Sequence, residues 1–287
     1  MNTEVRRSTV QSPAVRPGRL EASLPRLDDV DTPRQAAVVL PRWRRWLPLL
    51  AIGSGLLAWE ALWRSHAVPA YMLPGPAAVG QQWLRLARNG ALWHHARATL
   101  SEALIGFGVG LAVGLGLGYP LARSRTLAAI LAPYVAATQA VPIMAFAPLL
   151  VVWFGLGLLP KVIICALIVF FPIFVNTIVG LQSVDRSLVE SAATMGANTW
   201  QMLWYVEIPL ALRPLLGGVR MGLTLAMTGA VVGEFVAADA GLGYLMNLGR
   251  AAYDTPTVFA AALTMAAIAI LGYLSVGLLE HLLITWE

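Results

Sequence analysis

Charged residues are scarce in this chain. Asp, Glu, Lys and Arg make up 12% of its 287 residues, while 58% are hydrophobic; soluble domains carry about twice that charge. A globule with this balance could not cover its surface with polar groups, so the bilayer is the main solvent. Cysteine is represented by Cys165 alone, which excludes an intrachain disulfide and a cysteine metal cluster. Its place in an apolar run marks it as a small core or lipid-facing residue. The histidines His66, His94, His95 and His281 include one adjacent pair, and sequence neighbours do not share a helix face, so no metal site is expected.

Lysine is also nearly missing, with Lys161 its sole representative. A phosphate-cradling loop needs Gly-Lys-Ser/Thr behind an earlier glycine. Gly155 stands at the right distance from Lys161, but Pro160 and Val162 occupy the flanking positions. The chain therefore builds no nucleotide site, and Lys161 reads as an anchor at the end of a span. His-Glu-x-x-His and Gly-x-Ser-x-Gly are absent too, which leaves a membrane enzyme without support. The pI near 9.8 comes from arginines at the ends of apolar runs. That is a topology pattern, without the interleaved basic and aromatic residues of a nucleic-acid surface.

What the chain has in abundance is apolar runs of about 20 residues, the length that crosses about 30 Å of hydrocarbon. They predict an all-α polytopic membrane protein with about six transmembrane helices, over 47–63, 99–119, 127–153, 162–181, 215–236 and 255–283. Residues 1–45, rich in Arg, Pro, Asp and Ser, read as a disordered cytoplasmic tail, and 46–287 as the membrane domain. Leu73-Pro74-Gly75-Pro76 opens an interfacial amphipathic helix. Gly106, Gly110, Gly114 and Gly118 recur every four residues, a ladder that admits a neighbouring backbone. Pro133, Pro142 and Pro148 should break or kink the third span, and Pro172 the fourth. The sixth opens with Thr255 as cap and Pro256 in the first turn.

Six spans put both termini on one side. Arg42, Arg44, Arg45, Arg123 and Arg125 lie close to span ends on that side, which makes it cytoplasmic. Ionisable groups within spans are costly and need a reason. Glu60 and Glu102 fall toward outer span ends and read as interfacial. Glu234, just before the outer loop 239–244, is a candidate for lining the pathway, as are Gln139 and Pro142 at the break in the third span.

The loop 183–213 is too polar to span and too patterned to be a plain connector. Ser187 with Glu190, and Asn198 with Gln201, have the spacing of capping boxes for two short helices. Gly196 sits between them where a left-handed residue is wanted, and Pro209 should stop the second helix. The stretch Glu190-Ser191-Ala192, three residues, Gly196, nine residues, Val206-Glu207-Ile208-Pro209 resembles the loop motif of binding-protein-dependent ABC importer permeases. That motif reads Glu-Ala-Ala, three residues, Gly, nine residues, Ile-x-Leu-Pro. Ser191, Val206 and Ile208 are its departures here.

Leu73-Pro74-Gly75-Pro76, Trp153-Phe154-Gly155, Phe171-Pro172-Ile173 and Gly241-Leu242-Gly243-Tyr244 are similar to the nitrate, sulfonate and taurine permease group. The run from Gly233-Glu234-Phe235 to Asp239 is more similar to its riboflavin or thiamine-pyrimidine branch. The resemblance implies a coupling helix at Glu190, Ser191, Ala192, Gly196, Val206, Ile208 and Pro209. It implies further partners: an ATP-binding cassette subunit that holds the ATP and Mg, an extracytoplasmic solute-binding protein, and a second permease copy, in a bacterial inner membrane. The chain itself would bind no cofactor. An ion-coupled secondary transporter is the alternative, but the inverted repeats and paired midplane charges expected of one are not evident.

Overall fold

The computed structural model describes residues 46–140 and 142–284. Backbone contacts divide the chain into Met1–Ser54 and Gly55–Glu287. Within the first unit the described residues, 46–54, are an apolar helical stretch in which Trp46 and Leu50 are exposed. The tail expected over 1–45 lies outside the described residues. The remaining description concerns the second unit.

Every regular element among the described residues is helical. The order is α1 (Leu47–Arg64), α2 (Pro76–Arg88), α3 (Ala91–Arg123), α4 (Arg125–Ala140), α5 (Ile143–Phe154), α6 (Leu158–Gln182), α7 (Arg186–Thr194), α8 (Thr199–Met202), a π turn (Leu203–Glu207), α9 (Ile208–Ala237), α10 (Leu242–Ala251) and α11 (Thr255–Leu283). By length and composition, four helical stretches can cross a membrane: Ala91–Arg123, Leu158–Gln182, Thr199–Val236 and Thr255–Leu283. The 18-residue α1 and the α4–α5 pair are the other two apolar segments of the six expected. The break in the third segment falls at Pro142, as its proline predicts, with Pro142 the N-cap of α5. Pro133 and Pro148 are accommodated inside α4 and α5. At Pro172, inside α6, the Asn176 side-chain amide donates to the Pro172 carbonyl at 2.7 Å.

In a bilayer, helices associate by close packing and polar contacts, since lipid tails are as apolar as leucine. Here the packing centres on α6, held between the glycine faces of α3 and α9. A Cβ at Gly110 would stand 2.9 Å from Val169, one at Gly114 2.8 Å from Ile173, and one at Gly118 2.8 Å from Thr177. On the other flank, a Cβ at Gly229 would meet the Cα of Cys165 at 2.8 Å, and one at Gly218 would meet Asn176 at 2.7 Å. The glycine ladder is therefore a packing device, as its spacing predicts. Cys165 is a fully buried core residue beneath it.

A second apolar cluster joins α2, α3, α10 and α11 through Val79, Leu86, Leu92, Ala96, Leu242, Leu245, Ala260 and Ala261. Several helix boundaries lie outside the expected spans, and two of the differences have a local cause. α3 begins at Ala91, eight residues early, because Gly90 in a left-handed turn (φ 78°) allows a sharp entry. α11 is capped by Asp254 rather than Thr255, the Asp254 carboxylate accepting from the Thr257 N–H.

Candidate functional site

The 183–213 loop folds as a compact knob whose local chemistry explains its shape. Asp185 caps α7, its carboxylate accepting from the Ser187 N–H at 2.9 Å. Those contacts with Ser187 hold the Asp185 carboxyl below its ordinary range. The predicted Ser187–Glu190 box does not form. Asp185, two residues upstream, takes the cap, and Glu190 pairs with Arg186 at 3.0 Å on the exposed face of α7.

At the other end of α7, Gly196 has φ 86°. Its N–H donates to the Ala193 carbonyl at 3.0 Å and the Ala197 N–H donates to the Ala192 carbonyl at 3.1 Å. This pair of bonds is the Schellman arrangement that needs a left-handed residue. The Asn198–Gln201 box is complete, with Gln201 N–H to Asn198 Oδ1 at 2.8 Å and Asn198 N–H to Gln201 Oε1 at 2.9 Å. With both turns fixed by hydrogen bonds, α7 and α8 are presented in one relative orientation. Ser191 and Glu190 are exposed, and Ala192 is half-buried.

Pro209 does not stop the second helix, contrary to its usual effect. The chain widens to a π turn over Leu203–Glu207 and runs directly into α9, with Pro209 in the first turn. The wider turn leaves room for a proline ring that would clash with the carbonyl four residues back in a regular α-helix. Val206, Ile208 and Pro209 are half-buried at this joint. Around the knob, Met195 is 87% exposed, Tyr205 79% and Trp200 70%. An exposed apolar patch on a helical knob is what a protein-docking surface requires. Sequence reasoning passed over Glu207, which the loop motif treats as variable. It is buried, and Arg123 from the end of α3 pairs with it at 2.6 Å. An acid embedded among Val206, Ile208 and Pro209 was the available signal.

The opposite end of α3 carries a second constellation. The first N–H groups of a helix have no partner within it, and at the start of α10 all of them are captured by side chains of α3 and α9. Gly241 N–H donates to His95 Nδ1 at 3.1 Å and Leu242 N–H to Thr99 Oγ1 at 2.7 Å. Gly243 and Tyr244 N–H both donate to one carboxylate oxygen of Glu234. Glu234 thus sits at the positive end of α10, where a carboxylate is favoured.

Beside it, Glu102 and Lys161 form an ion pair, and the two residues are only 3% and 5% exposed. Lys161 does lie near the start of α6, but both side chains face the protein interior with each other as partner, which the sequence reading did not include. Each would be costly to desolvate alone, and the fold turns both inward to compensate each other. Glu60 is half-buried and pairs with Arg64 at 2.6 Å. Pro142 is exposed at the α4–α5 break, and the side chain of Gln139 lies outside the described residues. His95 and Thr99 were not singled out in the sequence, where nothing marks a histidine and a threonine four apart as caps for a distant helix. No cluster of metal-ligating side chains is found among the described residues.

Comparison with known proteins identifies the family. Residues 108–284 match the family described as binding-protein-dependent transport system inner membrane component. Similar proteins include the riboflavin transport system permease protein RibX of Chloroflexus aurantiacus, 51% identical over 81% of this chain and 87% of that protein. The formylaminopyrimidine transport permease protein ThiX of Halalkalibacterium halodurans is 33% identical over 81% of this chain and 92% of its own length. The taurine transport system permease protein TauC of Escherichia coli is 30% identical over 81% and 86%. Among solved structures, an inward-facing MetNI methionine ABC transporter superposes with a TM-score of 0.60 at 20% identity, covering 71% of this chain and 98% of that one. At that identity the likeness is one of fold.

Proposed function

Because the chain belongs to the binding-protein-dependent transport system inner membrane components, we propose that it is an importer permease driven by a partner's ATP and that its solute is a riboflavin-like heterocycle. The observation that carries the solute is the 51% identity with a riboflavin permease, against 30% with a taurine permease. The coupling role rests on the knob. A rigid helix pair with exposed Trp200 and Tyr205 is suited to a groove on an ATP-binding subunit. On this reading the knob and both termini lie in the cytoplasm and the α10 end outside, facing a solute-binding protein. Two permease copies, taken here as identical, enclose one pathway in the bacterial inner membrane. The chain performs no catalysis and binds no cofactor, while ATP and Mg belong to the partner. Glu234 and the Pro142 break, with Gln139 beside it, are the segments proposed to move around the solute.

The test is uptake by proteoliposomes that contain this chain, an ATP-binding subunit and a solute-binding protein encoded with it. Riboflavin should accumulate with ATP inside and be unaffected by excess taurine. Accumulation of taurine or an alkanesulfonate instead would reassign the solute. Uptake driven by an ion gradient without ATP would remove the importer reading.

Gly196→Val tests the knob itself. A Cβ there meets nothing within 4 Å, so the cost is purely that of φ 86°, about 1–2 kcal/mol and more for a β-branched residue. The variant should insert normally yet fail to co-purify with the ATP-binding subunit. Wild-type assembly would make the loop an ordinary connector.

A further inference from the structure

Glu207 and Arg123 join the knob to the end of α3. Glu207 ends the π turn, at the point where the knob passes into α9, and Arg123 ends α3. The Glu207 side chain is 8% exposed and that of Arg123 42%. The second carboxylate oxygen of Glu207, Oε2, is buried without a hydrogen-bond partner. The first is therefore held by Arg123, which also lies over the Tyr119 ring at 5.5 Å. A buried carboxylate without a compensating cation is strongly disfavoured, so the position of the joint is tied to the position of the α3 terminus.

The glycine-packed contacts of α3 with α6 are short-range and close only in one register. The ion pair is of another kind: one charged contact at the end of α3, with the Arg123 side 42% exposed, that ties the joint to the helix without taking part in the packed face. At the other end of the same helix, His95 and Thr99 hold the N-terminus of α10. Thr99 and Arg123 are 24 residues apart on one continuous helix, about 36 Å at 1.5 Å per residue.

We infer that the Arg123–Glu207 pair is the latch by which α3 follows the knob, so that displacement of α7–α8 is passed along α3 to the capped end of α10. Arg123 and Glu207 are positioning residues in this scheme and touch neither nucleotide nor solute. The inference rests on the knob being the ATPase-docking element proposed above.

Three variants test it in the complete complex: R123E, E207R and the double reversal R123E/E207R. Each single reversal should still co-purify with the ATP-binding subunit and hydrolyse ATP. Solute taken up per ATP should fall about tenfold, within the usual range of coupling between sites. The double reversal should restore most of it. Glu207→Gln, which keeps the shape and removes the charge, covers the case in which a reversed charge prevents insertion, and it should show the same loss. Wild-type uptake per ATP in an assembled Glu207→Gln or R123E complex would overturn the latch. So would a double reversal no better than the singles.

A wild-type complex without ATP-driven uptake would instead sink the importer reading. The latch is then decided on the isolated chain, by thiol labelling of Ala240→Cys beside the α10 cap. R123E should change the labelling rate several-fold, and an unchanged rate overturns the inference.

Discussion

Lys161→Met should lower the thermal unfolding midpoint of the detergent-solubilised chain more than any surface change, with a loss of about 3–5 kcal/mol. The substitution fits the space, so packing is nearly preserved. What it removes is the cation beside Glu102, and the latter is 3% exposed. The remaining carboxylate must then stay charged in a dry environment or take up a proton, and its second oxygen, Oε2, is already without a hydrogen-bond partner. Adding Glu102→Gln should recover much of the loss, because the buried charge disappears with its partner. Circular dichroism melts of the two single variants and the double variant measure the coupling directly. A Lys161→Met protein as stable as wild type would mean that the pair contributes nothing to the fold.

Glu234→Ala should free the start of α10 without unfolding the bundle. One Glu234 oxygen accepts from both Gly243 and Tyr244, and leaving a buried donor unpaired costs about 1–3 kcal/mol each. Hydrogen exchange over residues 241–251 should accelerate by at least about tenfold, a change that corresponds to 1.4 kcal/mol. Exchange over α6 should hardly change, because its glycine-lined contacts are untouched. Glu234→Gln keeps an acceptor oxygen and should lie between the two. If uptake is measured in the same vesicles, Glu234→Ala should lose most of it, since the cap is proposed to move during transport. Wild-type protection of 241–251 in Glu234→Ala would show that His95 and Thr99 hold α10 unaided.

The features legible in the sequence are those decided within a few residues. Gly196 between two short helices, the Asn198–Gln201 box, the break at Pro142 and the four-residue glycine period all depend on local geometry, and each appears as expected. The α7 cap was misplaced because Asp185 and Ser187 are both good cap residues two positions apart, and spacing alone does not choose between them. Pro209 was misread for a related reason, since the rule that proline ends a helix assumes α register and the chain changes register just before it. The ion pairs were out of reach. Lys161 lies 59 residues from Glu102, Arg123 is farther still from Glu207, and only the folded helices bring them together. Charge near a span end reads as interfacial until a partner on another helix is known. The same applies to His95 and Thr99, whose role exists only once α10 is placed against α3.

The π turn also sets a bearing. An α-helix advances about 100° around its axis with each residue, and a π turn holds one residue more than an α turn. The surplus residue in Leu203–Glu207 therefore rotates everything before it by roughly that angle about the α9 axis. Trp200 and the helices before it face where they do because of this single added residue, while Glu207, adjoining α9, keeps the azimuth that meets Arg123. Deleting one of Leu203–Val206 would leave both caps and the Arg123–Glu207 pair in place, yet it would swing α7 and α8 more than a quarter turn about the α9 axis.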